Sequence, residues 1–458
     1  MVFMDVLREP VKARERVGEP SRNSRESIGM VQRILAALVV VILAWGMVYY
    51  YYGVLIPIWT RPFVSSKADG GIWSDLYPRW IGTRELLQHH RNPYSAEVTA
   101  EIQRGFYGRQ LNPSDDPSNP DHEIDREEFA YPVYVVFLLA PSLPFSFHTV
   151  GFVFTVVLLL ITPASLWLWM RALKSRLRPL AVALAMAAMM SSYPVIDGLH
   201  LQQLTLLVAA LMAGAMAALA CQRHLVAGVL LGLAMIKPQL PILVVALVMI
   251  WVLGDWRSRK FVAVAFGSVM AVLLIGAEIV LPGWLTLWRQ AVNAYIAHHK
   301  QPLLVAVFHP WTATLITTAA LIALLCLFWQ VRKDPPGSRP FNYAVVAALT
   351  LTLLVLPNAG GYYNQALLVP AALWMFSSGL EARKASAVVR LTWVLSIIAL
   401  AGQWIAALPV SLAVLFWHRH FERESTLFVT GPEILIYFFP ILLGVLVLSA
   451  GPWAARRA

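Results

Sequence analysis

The residue whose type and position best suit chemistry is Asp75, a carboxylate that lies shortly after the first long apolar run of the chain. The segment GGIWSDLYPRWIGTRELLQHHRNPYS surrounds it with Trp, Tyr and Arg side chains. A carboxylate held at the edge of a bilayer can take a proton from a hydroxyl group, as a general base acting on a lipid-linked substrate must do. The alternative is that Asp75 only caps a helix beginning near Leu76, a common position for Asp.

Cationic side chains are candidates for binding the phosphate of such a substrate. Lys237 ends the apolar run GVLLGLAMI in a Lys-Pro pair, where its ammonium group could meet a phosphate as a point charge. Snorkelling of the side chain to the membrane surface explains the same position. Arg289 and His309 belong to a basic segment that suits an anionic headgroup. The same segment contains His298, His299 and Lys300 and is flanked by Trp284, Trp288 and Trp311.

Further polar residues stand next to these groups or at the starts of apolar runs, and are candidates for binding substrate. Those next to the carboxylate or at the starts of two later runs are Tyr77, Arg79, Gln203, Tyr363, Asn364 and Gln365. Such groups could hydrogen-bond sugar hydroxyls, or they could satisfy backbone groups freed at the end of a span. Glu278, near the end of a later run, is a second acidic candidate with less local support than Asp75.

No metal or cofactor is expected from the motifs of the chain. Asp121, Glu123 and Asp125 alternate like part of a calcium loop, but the glycine and the terminal Glu of that loop are missing, which favours a solvated acidic segment. No pair of His residues has convincing metal spacing. Nothing matches a Walker loop, a Rossmann fingerprint, a nucleophile elbow or a zinc pattern.

The composition is that of a membrane protein. Hydrophobic residues make up 59% of the 458 residues, and only 13% are charged, whereas soluble domains have about 25% charged residues. Mean hydropathy is +0.64. The net charge of +11 is explained by Lys and Arg in cytoplasmic loops rather than by nucleic-acid binding.

The apolar runs predict an all-α polytopic membrane protein with about ten to twelve spans, because each is near the roughly 20 residues that cross a bilayer. A long loop, 53–148, is expected to contain amphipathic helices near 79–90 and 95–107 and an exposed Pro/Asp-rich stretch at 112–128. The two short runs flanking Lys237-Pro238 could instead form a broken or re-entrant pair. Spans are predicted near 33–52, 149–171, 178–194, 201–221, 225–236, 239–253, 261–281, 309–331, 342–356, 365–380, 391–414 and 433–451.

Basic residues predict the orientation of these spans. Lys and Arg are concentrated in the N-terminal tail and in alternate loops, which the positive-inside rule makes cytoplasmic. The tails 1–32 and 452–458 are therefore predicted to be cytoplasmic, with a transmembrane domain at 33–451 and the loop 53–148 on the external side. The first run is too long for a signal-peptide core and is expected to stay as an uncleaved span.

Several stretches together resemble a known family. They are D-L-Y-P-R-W, R-E-L-L and N-P-Y between Asp75 and Tyr94, FAYPVYVVFLLAP at 129–141, LHLQQLTLL with the later AMIKPQLPILVV, and LPNAGGYYNQALLVPAALW. In order and spacing, these are similar to glycosyltransferase family 87. That family belongs to the GT-C-fold group and includes polyprenyl-phosphate-mannose-dependent α-mannosyltransferases. The resemblance covers most of residues 70 to 375.

The resemblance implies roles for particular residues. Asp75 falls on the acidic position proposed as catalytic in the family, Gln203 on the polar residue of the fourth span, and Lys237 on the Lys-Pro turn. Tyr363 to Gln365 match the late motif, although Asn364 stands where an Asp is frequent and the segment lacks the His of some mannosyltransferases.

The activity implied is a hexosyltransferase of the bacterial plasma (inner) membrane. It would move a sugar such as mannose from a polyprenyl-phosphate donor to a glycolipid or glycan acceptor on the external face, with Asp75 as general base and no nucleic acid or cofactor involved. Lys237, and less directly Arg289 or His309, would bind the donor phosphate. The alternatives are a transporter or flippase for lipid-linked sugars, which would need paired repeats or a polar path through the bilayer, and a polysaccharide polymerase or ligase.

Overall fold

The fold is all-helical throughout the part of the chain that the computed structural model describes, which confirms the predicted class. This part comprises residues 22–58, 72–111, 127–298, 304–305, 308–357, 359–379, 385–417 and 426–450. The acidic segment at 121–125, together with His299 and Lys300, lies outside it.

The described helices are numbered here in chain order. They are α1 (Arg22–Tyr49), α2 (Leu76–His89), α3 (Ala96–Tyr107), α4 (Val136–Leu139), α5 (Phe147–Ala172), α6 (Pro179–Met190), α7 (Tyr193–His200), α8 (Leu204–Ala220), α9 (His224–Ala234), α10 (Ile242–Leu253), α11 (Trp256–Val280), α12 (Trp284–His298), α13 (Pro310–Val331), α14 (Arg339–Val355), α15 (Val369–Ser377), α16 (Ala387–Trp417) and α17 (Thr426–Ala450). A π-helical turn, Tyr50–Leu55, continues α1, and 3₁₀ turns stand at Val133–Val135, Ala140–Ser142 and Tyr362–Leu368.

Six helices among the described residues are long and apolar enough to cross a membrane by themselves, or seven spans if the bent pair α6 and α7 counts as one. These six are α1, α5, α11, α13, α16 and α17. Four of the other predicted spans coincide with the shorter apolar helices α8, α9, α10 and α14, and the tenth is split between a 3₁₀ turn and α15. At 1.5 Å per residue the longest of these helices, α8 and α14 with 17 residues each, reach about 25 Å, less than the roughly 30 Å of a typical hydrocarbon core. The predicted count of ten to twelve is therefore not reached by helices of spanning length, although the chain is a multi-pass membrane protein.

The closest helix pairs are α16 with α17, α5 with the shorter α8, and α11 with the shorter α9. Small residues bring α9 and α11 close together. A Cβ atom on Gly228 would overlap the carbonyl oxygen of Val262, and one on Gly232 would lie 2.8 Å from Val269. Close contact between backbones at glycines is a common way to join helices where lipid tails weaken the hydrophobic drive for association.

Helices α2 and α3 form a small lobe between the first and second long helices. Both were expected from the amphipathic spacing, and α3 begins at an N-cap, where the hydroxyl of Ser95 accepts from the Val98 amide. The lobe rests on the start of α5, because the rings of Tyr77 and Trp80 lie 4.9 and 5.6 Å from that of Phe147. Asp75 stands immediately before α2, so this packing fixes it beside the bundle.

An ion-pair network strengthens the same lobe. The buried carboxylate of Glu85 pairs with Arg84 at 3.0 Å and with Arg91 at 2.8 Å, and Glu101 of α3 pairs with both arginines. Burial raises the pKa of Glu85, but hydrogen bonds from Arg84 and His89 outweigh burial and leave the pKa below its usual value. The network therefore ties α2 to α3 with Glu85 ionised.

Candidate active site

Asp75 occupies the N-cap position of α2 but does not cap it. Its backbone is helical, at φ −66° and ψ −13°, and its side chain makes no capping hydrogen bond. Instead, the carboxylate accepts a hydrogen bond from Nε2 of Gln203. The backbone amide of Asp75 donates to the carbonyl of Leu201 at 2.9 Å. The helix-cap interpretation is therefore wrong, and Asp75 belongs to a polar cluster with the turn between α7 and α8.

The turn at Leu201–Gln203 is shaped by a residue in the left-handed backbone region. Gln202 has φ 54°, and the next amide, of Gln203, donates back to the carbonyl of Gly198 at 2.8 Å. This closes the end of α7 in the manner of a left-handed C-cap. The turn then presents the side chain of Gln203 to Asp75.

The side chain of Gln202 fastens this turn to two other segments. Its Oε1 accepts from the hydroxyl of Ser74 at 2.5 Å, and its Nε2 donates to the carbonyl of Gly151 at 2.8 Å and to Thr155 at 3.0 Å. Ser74 immediately precedes the candidate base, and the other two partners lie in the first turns of α5. The residue before Asp75 is thus fastened to the same turn as Asp75 itself, which fixes the position of the carboxylate.

Lys237 lies behind Gln203, in the turn after α9, and is only 4% exposed. Its ammonium group donates to Oε1 of Gln203 at 3.3 Å, to Thr205 at 2.8 Å and to Oδ1 of Asn364 at 3.3 Å. The hydroxyl of Thr205 also donates to Asn364 at 2.7 Å. An ammonium group has three N–H donors, so all three are used. Gln203 therefore links a cation to a carboxylate: its side-chain oxygen accepts from Lys237, and its side-chain nitrogen donates to Asp75.

Aromatic rings and a second cation complete the cluster. The ammonium nitrogen of Lys237 lies 4.7 Å from the ring centroid of Tyr363 and 5.9 Å from that of Tyr131. The guanidinium of Arg79 stacks over Tyr131 at 4.4 Å and donates to the carbonyl oxygen of Asp75. The face of an aromatic ring attracts cations, so these tyrosines help to hold two positive charges around one carboxylate.

The surroundings of Lys237 lower the pKa of its ammonium group. Burial and, to a smaller extent, the positive charge of Arg79 lower its pKa to about 7, although the negative charge of Asp75 acts in the opposite direction. The ammonium group is therefore close to losing its proton near neutral pH. Burial also raises the pKa of Tyr131 and Tyr363, which keeps both hydroxyls neutral.

Two other predicted substrate-binding residues have different surroundings. The hydroxyl of Tyr77 lies against Gly105, where a Cβ atom would overlap it, so its side chain points into the lobe towards α3. Gln365 is buried, and its Nε2 atom has no hydrogen-bond partner in the part of the chain that is described. Gln365 thus offers an unsatisfied donor beside Asn364, whereas Tyr77 supports the lobe.

The remaining basic and acidic candidates lie outside the cluster. Arg289 is exposed on α12, and His309 is exposed at the start of α13. Glu278 is also exposed, and its carboxylate accepts from the amide of Gly283 at 2.8 Å, which stabilises the turn after α11. His298 ends α12. The structure does not bring Arg289, His309 or Glu278 together with Asp75.

Several residues of interest were not singled out from the sequence. Tyr131 lies in the segment FAYPVY, which the family resemblance covers as a whole without pointing to this residue. Asp197 is buried in α7 and accepts from the hydroxyl of Tyr51 at 2.8 Å. Glu433 of α17 accepts from Tyr193 at 3.0 Å. An ionisable residue in an apolar segment was the signal for both acids.

Among the described residues, no group of three or more His, Cys, Asp or Glu side chains could hold a metal ion. The cluster around Asp75 offers a carboxylate, two cations, amides and hydroxyls. These groups can accept a proton, attract a phosphate and hydrogen-bond a sugar.

Comparison with known proteins gives one family. The family model described as glycosyltransferase family 87 matches residues 129–357, which is half of the chain. Searches of the curated proteins and of the solved structures gave no match. The matched range contains Tyr131, Gln203, Thr205 and Lys237. Asp75 and Asn364 lie on either side of it and join the matched residues through the hydrogen bonds described above.

Proposed function

Because this chain belongs to glycosyltransferase family 87, we propose that it transfers a sugar, a hexose such as mannose, from a polyprenyl-phosphate donor to a glycolipid or glycan acceptor. Membership of the family implies a membrane glycosyltransferase and favours transfer over the transporter or flippase considered from the sequence. The observation that carries the finer proposal is the chain of hydrogen bonds from Lys237 through Gln203 to the carboxylate of Asp75. It puts a candidate base and a candidate phosphate partner in one cluster.

In the proposed reaction, an acceptor hydroxyl attacks the anomeric carbon of the donor sugar. The new bond joins the acceptor oxygen to that carbon, and the bond from the carbon to the phosphate oxygen breaks. Asp75 takes the proton of the hydroxyl as it attacks. The leaving polyprenyl phosphate keeps the electron pair, and a single displacement inverts the anomeric centre.

The charges of the cluster suit this sequence of events. Lys237 and Arg79 supply two positive charges, which balance the carboxylate of Asp75 and the single negative charge of a donor phosphodiester. After transfer, Asp75 is neutral and the leaving phosphate carries the second negative charge, so the total is unchanged. Fixed charges that already stand where charge develops in the transition state lower the activation barrier, because the protein does not have to reorganise during the reaction.

The two cations would act differently on the phosphate. The ammonium group of Lys237 already donates to three acceptors, so it would act through its charge and by orienting Gln203. Arg79 is half-buried with its guanidinium at the backbone carbonyl of Asp75, and this planar group can bind two phosphate oxygens together. Arg289 and His309 are exposed outside the cluster. That they bind the donor phosphate stays a prediction from the sequence.

The proposed orientation rests on the two ends of α5. Gly151 and Thr155 near its start contact Gln202 beside the cluster, whereas Lys174 follows its end. The 22 residues from Gly151 to Ala172 rise by about 33 Å, the thickness of the hydrocarbon core. With the basic end in the cytoplasm, the N-terminal tail would be cytoplasmic and the cluster would face the external side of the bacterial inner membrane.

The test is transfer by purified protein in lipid, using radiolabelled polyprenyl-phosphate mannose and a membrane-lipid extract as acceptor. Wild type should transfer label and Asp75→Asn should not. Asp255→Asn is the matched control, because Asp255 caps α11 through its side chain and Asn is an equally good cap. Equal transfer by wild type and Asp75→Asn would exclude Asp75 as the base. If wild type fails with mannose but transfers a pentose from polyprenyl phosphate, the choice of hexose is wrong.

A further inference from the structure

A cavity lies at the other end of the bundle from Asp75. Its volume is about 770 Å³, within the range of about 300–1,000 Å³ that is typical of ligand sites. Apolar side chains of α1, α6, α15 and α16 line most of it, including Leu43, Leu184, Trp374 and Leu400. Such a volume and lining suit a hydrocarbon chain.

One end of this cavity is lined by cations. Lys174, Arg176 and Arg339 all belong to its wall, and the first two follow α5 directly. The cavity is therefore apolar along its length and positively charged at one end. An amphiphile with an acyl chain and a negatively charged headgroup matches both properties.

The backbone holds the basic end of the cavity in place. Lys174 adopts φ 53°, and its side chain crosses Gly337, where a Cβ atom would lie 2.7 Å from Cε of the lysine. The side-chain amide of Asn342 donates to the carbonyls of Leu173 and Gly337, at 3.3 Å each. These contacts join the loop after α5 to the loop before α14, so the position of the lysine is built into the fold.

We propose that this cavity binds one anionic phospholipid, with an acyl chain between α6 and α16 and the phosphate against Lys174 and Arg176. The basic loops identify this end with the leaflet that carries most anionic lipid. The proposal is a binding site separate from the transfer reaction, because α5 places about 33 Å between the basic loop and the cluster around Asp75. This distance is also the reason for choosing a phospholipid rather than the polyprenyl-phosphate donor.

The test is a binding titration by native mass spectrometry of the purified, delipidated protein. Dioleoyl phosphatidylglycerol should be retained with a stoichiometry of one, and dioleoyl phosphatidylcholine should bind more weakly. Lys174→Gln with Arg176→Gln should weaken binding of phosphatidylglycerol about 25-fold, since each surface charge contributes about fivefold, or about 1 kcal/mol. Arg257→Gln with Lys260→Gln is the matched control: both side chains are exposed on α11, and neither lines the cavity.

A second pair of variants tests the cavity without changing charge. Ala185→Phe on α6 should fill it and abolish the tight site, whereas Ala187→Phe, an exposed position on the same helix that does not line the cavity, should not. Equal binding of the two phospholipids, or equal weakening by both charge pairs, would overturn the proposal. So would displacement of phosphatidylglycerol by a lower concentration of polyprenyl phosphate, because the occupant would then be a different lipid.

Discussion

Two polar clusters lie close together in this protein, and their carboxylates have different partners. Asp75 accepts from an amide that is itself bound to a lysine, and an arginine lies against its backbone carbonyl. Asp197 and Glu433 accept from the tyrosine hydroxyls of Tyr51 and Tyr193. The first cluster contains two cations, whereas the second is made of aromatic rings and acids.

The clusters also differ in accessibility. Asp75, Arg79 and Tyr363 are half-buried, so a substrate can reach them, whereas Asp197 and Glu433 are buried. The rings of Tyr51 and Tyr193 meet at 5.5 Å, and with their acids they join α1, α7 and α17. An acidic residue in an apolar segment is therefore not enough to identify a catalytic site. The presence of cations and exposure to substrate separate the candidate base from acids that hold helices together.

The largest difference between the clusters is expected when each loses one carboxylate. Asp75→Asn should lower kcat for sugar transfer by about 10²–10⁴-fold, the usual contribution of a general base, without a change in melting temperature. Asp197→Asn should lower the melting temperature and leave kcat of the folded enzyme nearly unchanged. Transfer assays and thermal unfolding of both proteins measure this contrast, and a similar loss of kcat in both would remove the distinction drawn here.

Removal of the buried cation should have the next largest effect. Lys237→Met keeps much of the side-chain volume but removes the charge and the hydrogen bond to Gln203. We expect kcat/KM for the donor to fall about 10²-fold, as when an electrostatic contact to a leaving group is lost. Thr205 and Asn364 should keep their own hydrogen bond. A normal kcat/KM in a folded Lys237→Met protein would show that the lysine has only a structural role.

The pH dependence of the reaction should report on the same lysine. The pKa of Lys237 is lowered to about 7 by burial and by Arg79, so the ammonium group loses its positive charge as the pH rises through this value. We therefore expect kcat/KM for the donor to fall above pH 7, by up to about tenfold per pH unit. Lys237→Met should lack this decrease. If wild type and Lys237→Met show the same decrease in kcat/KM above pH 7, the decrease is caused by the titration of another group.

The smallest effect on transfer is expected in the tyrosine cluster. Tyr51→Phe removes the hydroxyl that donates to Asp197 and should cost about 1–3 kcal/mol of stability, the usual penalty for a buried acceptor that loses its donor. The activity of the folded enzyme should stay within about twofold of wild type, because the candidate base keeps its partners. Melting temperature and kcat measured on one preparation test both halves of this statement.

The sequence alone predicted the helical class and named several residues of the polar cluster, but it did not predict which of them meet. Asp75, Gln203, Lys237 and Asn364 were all identified, but residues 34 and 127 positions apart are joined by the hydrogen bonds of Lys237. No local periodicity encodes such contacts, because they depend on how α8, α9 and the turn at Tyr362–Leu368 pack together. Several of the ten to twelve predicted spans coincide with apolar helices shorter than a full span, since hydropathy detects an apolar run without detecting where its helix ends.

Helical geometry explains why two neighbours of Asp75 differ. Arg79 is four residues after Asp75 and lies on the same face of α2, whereas Tyr77 is two residues after it and points elsewhere. Proximity to Asp75 in the sequence predicts substrate binding for both residues and does not distinguish them. Asp197 carries a different signal, an ionisable group inside the apolar segment YPVIDGLH, which indicates a buried partner but does not separate a structural acid from a catalytic one.

The turn at Leu201–Gln203 bears on how the proposed transferase would select its acceptors. It holds three successive groups in place, with bonds to Ser74, to the Asp75 amide and to the Asp75 carboxylate. In the proposed reaction, Asp75 therefore cannot swing on a hinge to follow substrates of different length. An acceptor must bring its hydroxyl to a fixed point, so engineering of acceptor range should begin with the side chains around that point rather than with backbone flexibility.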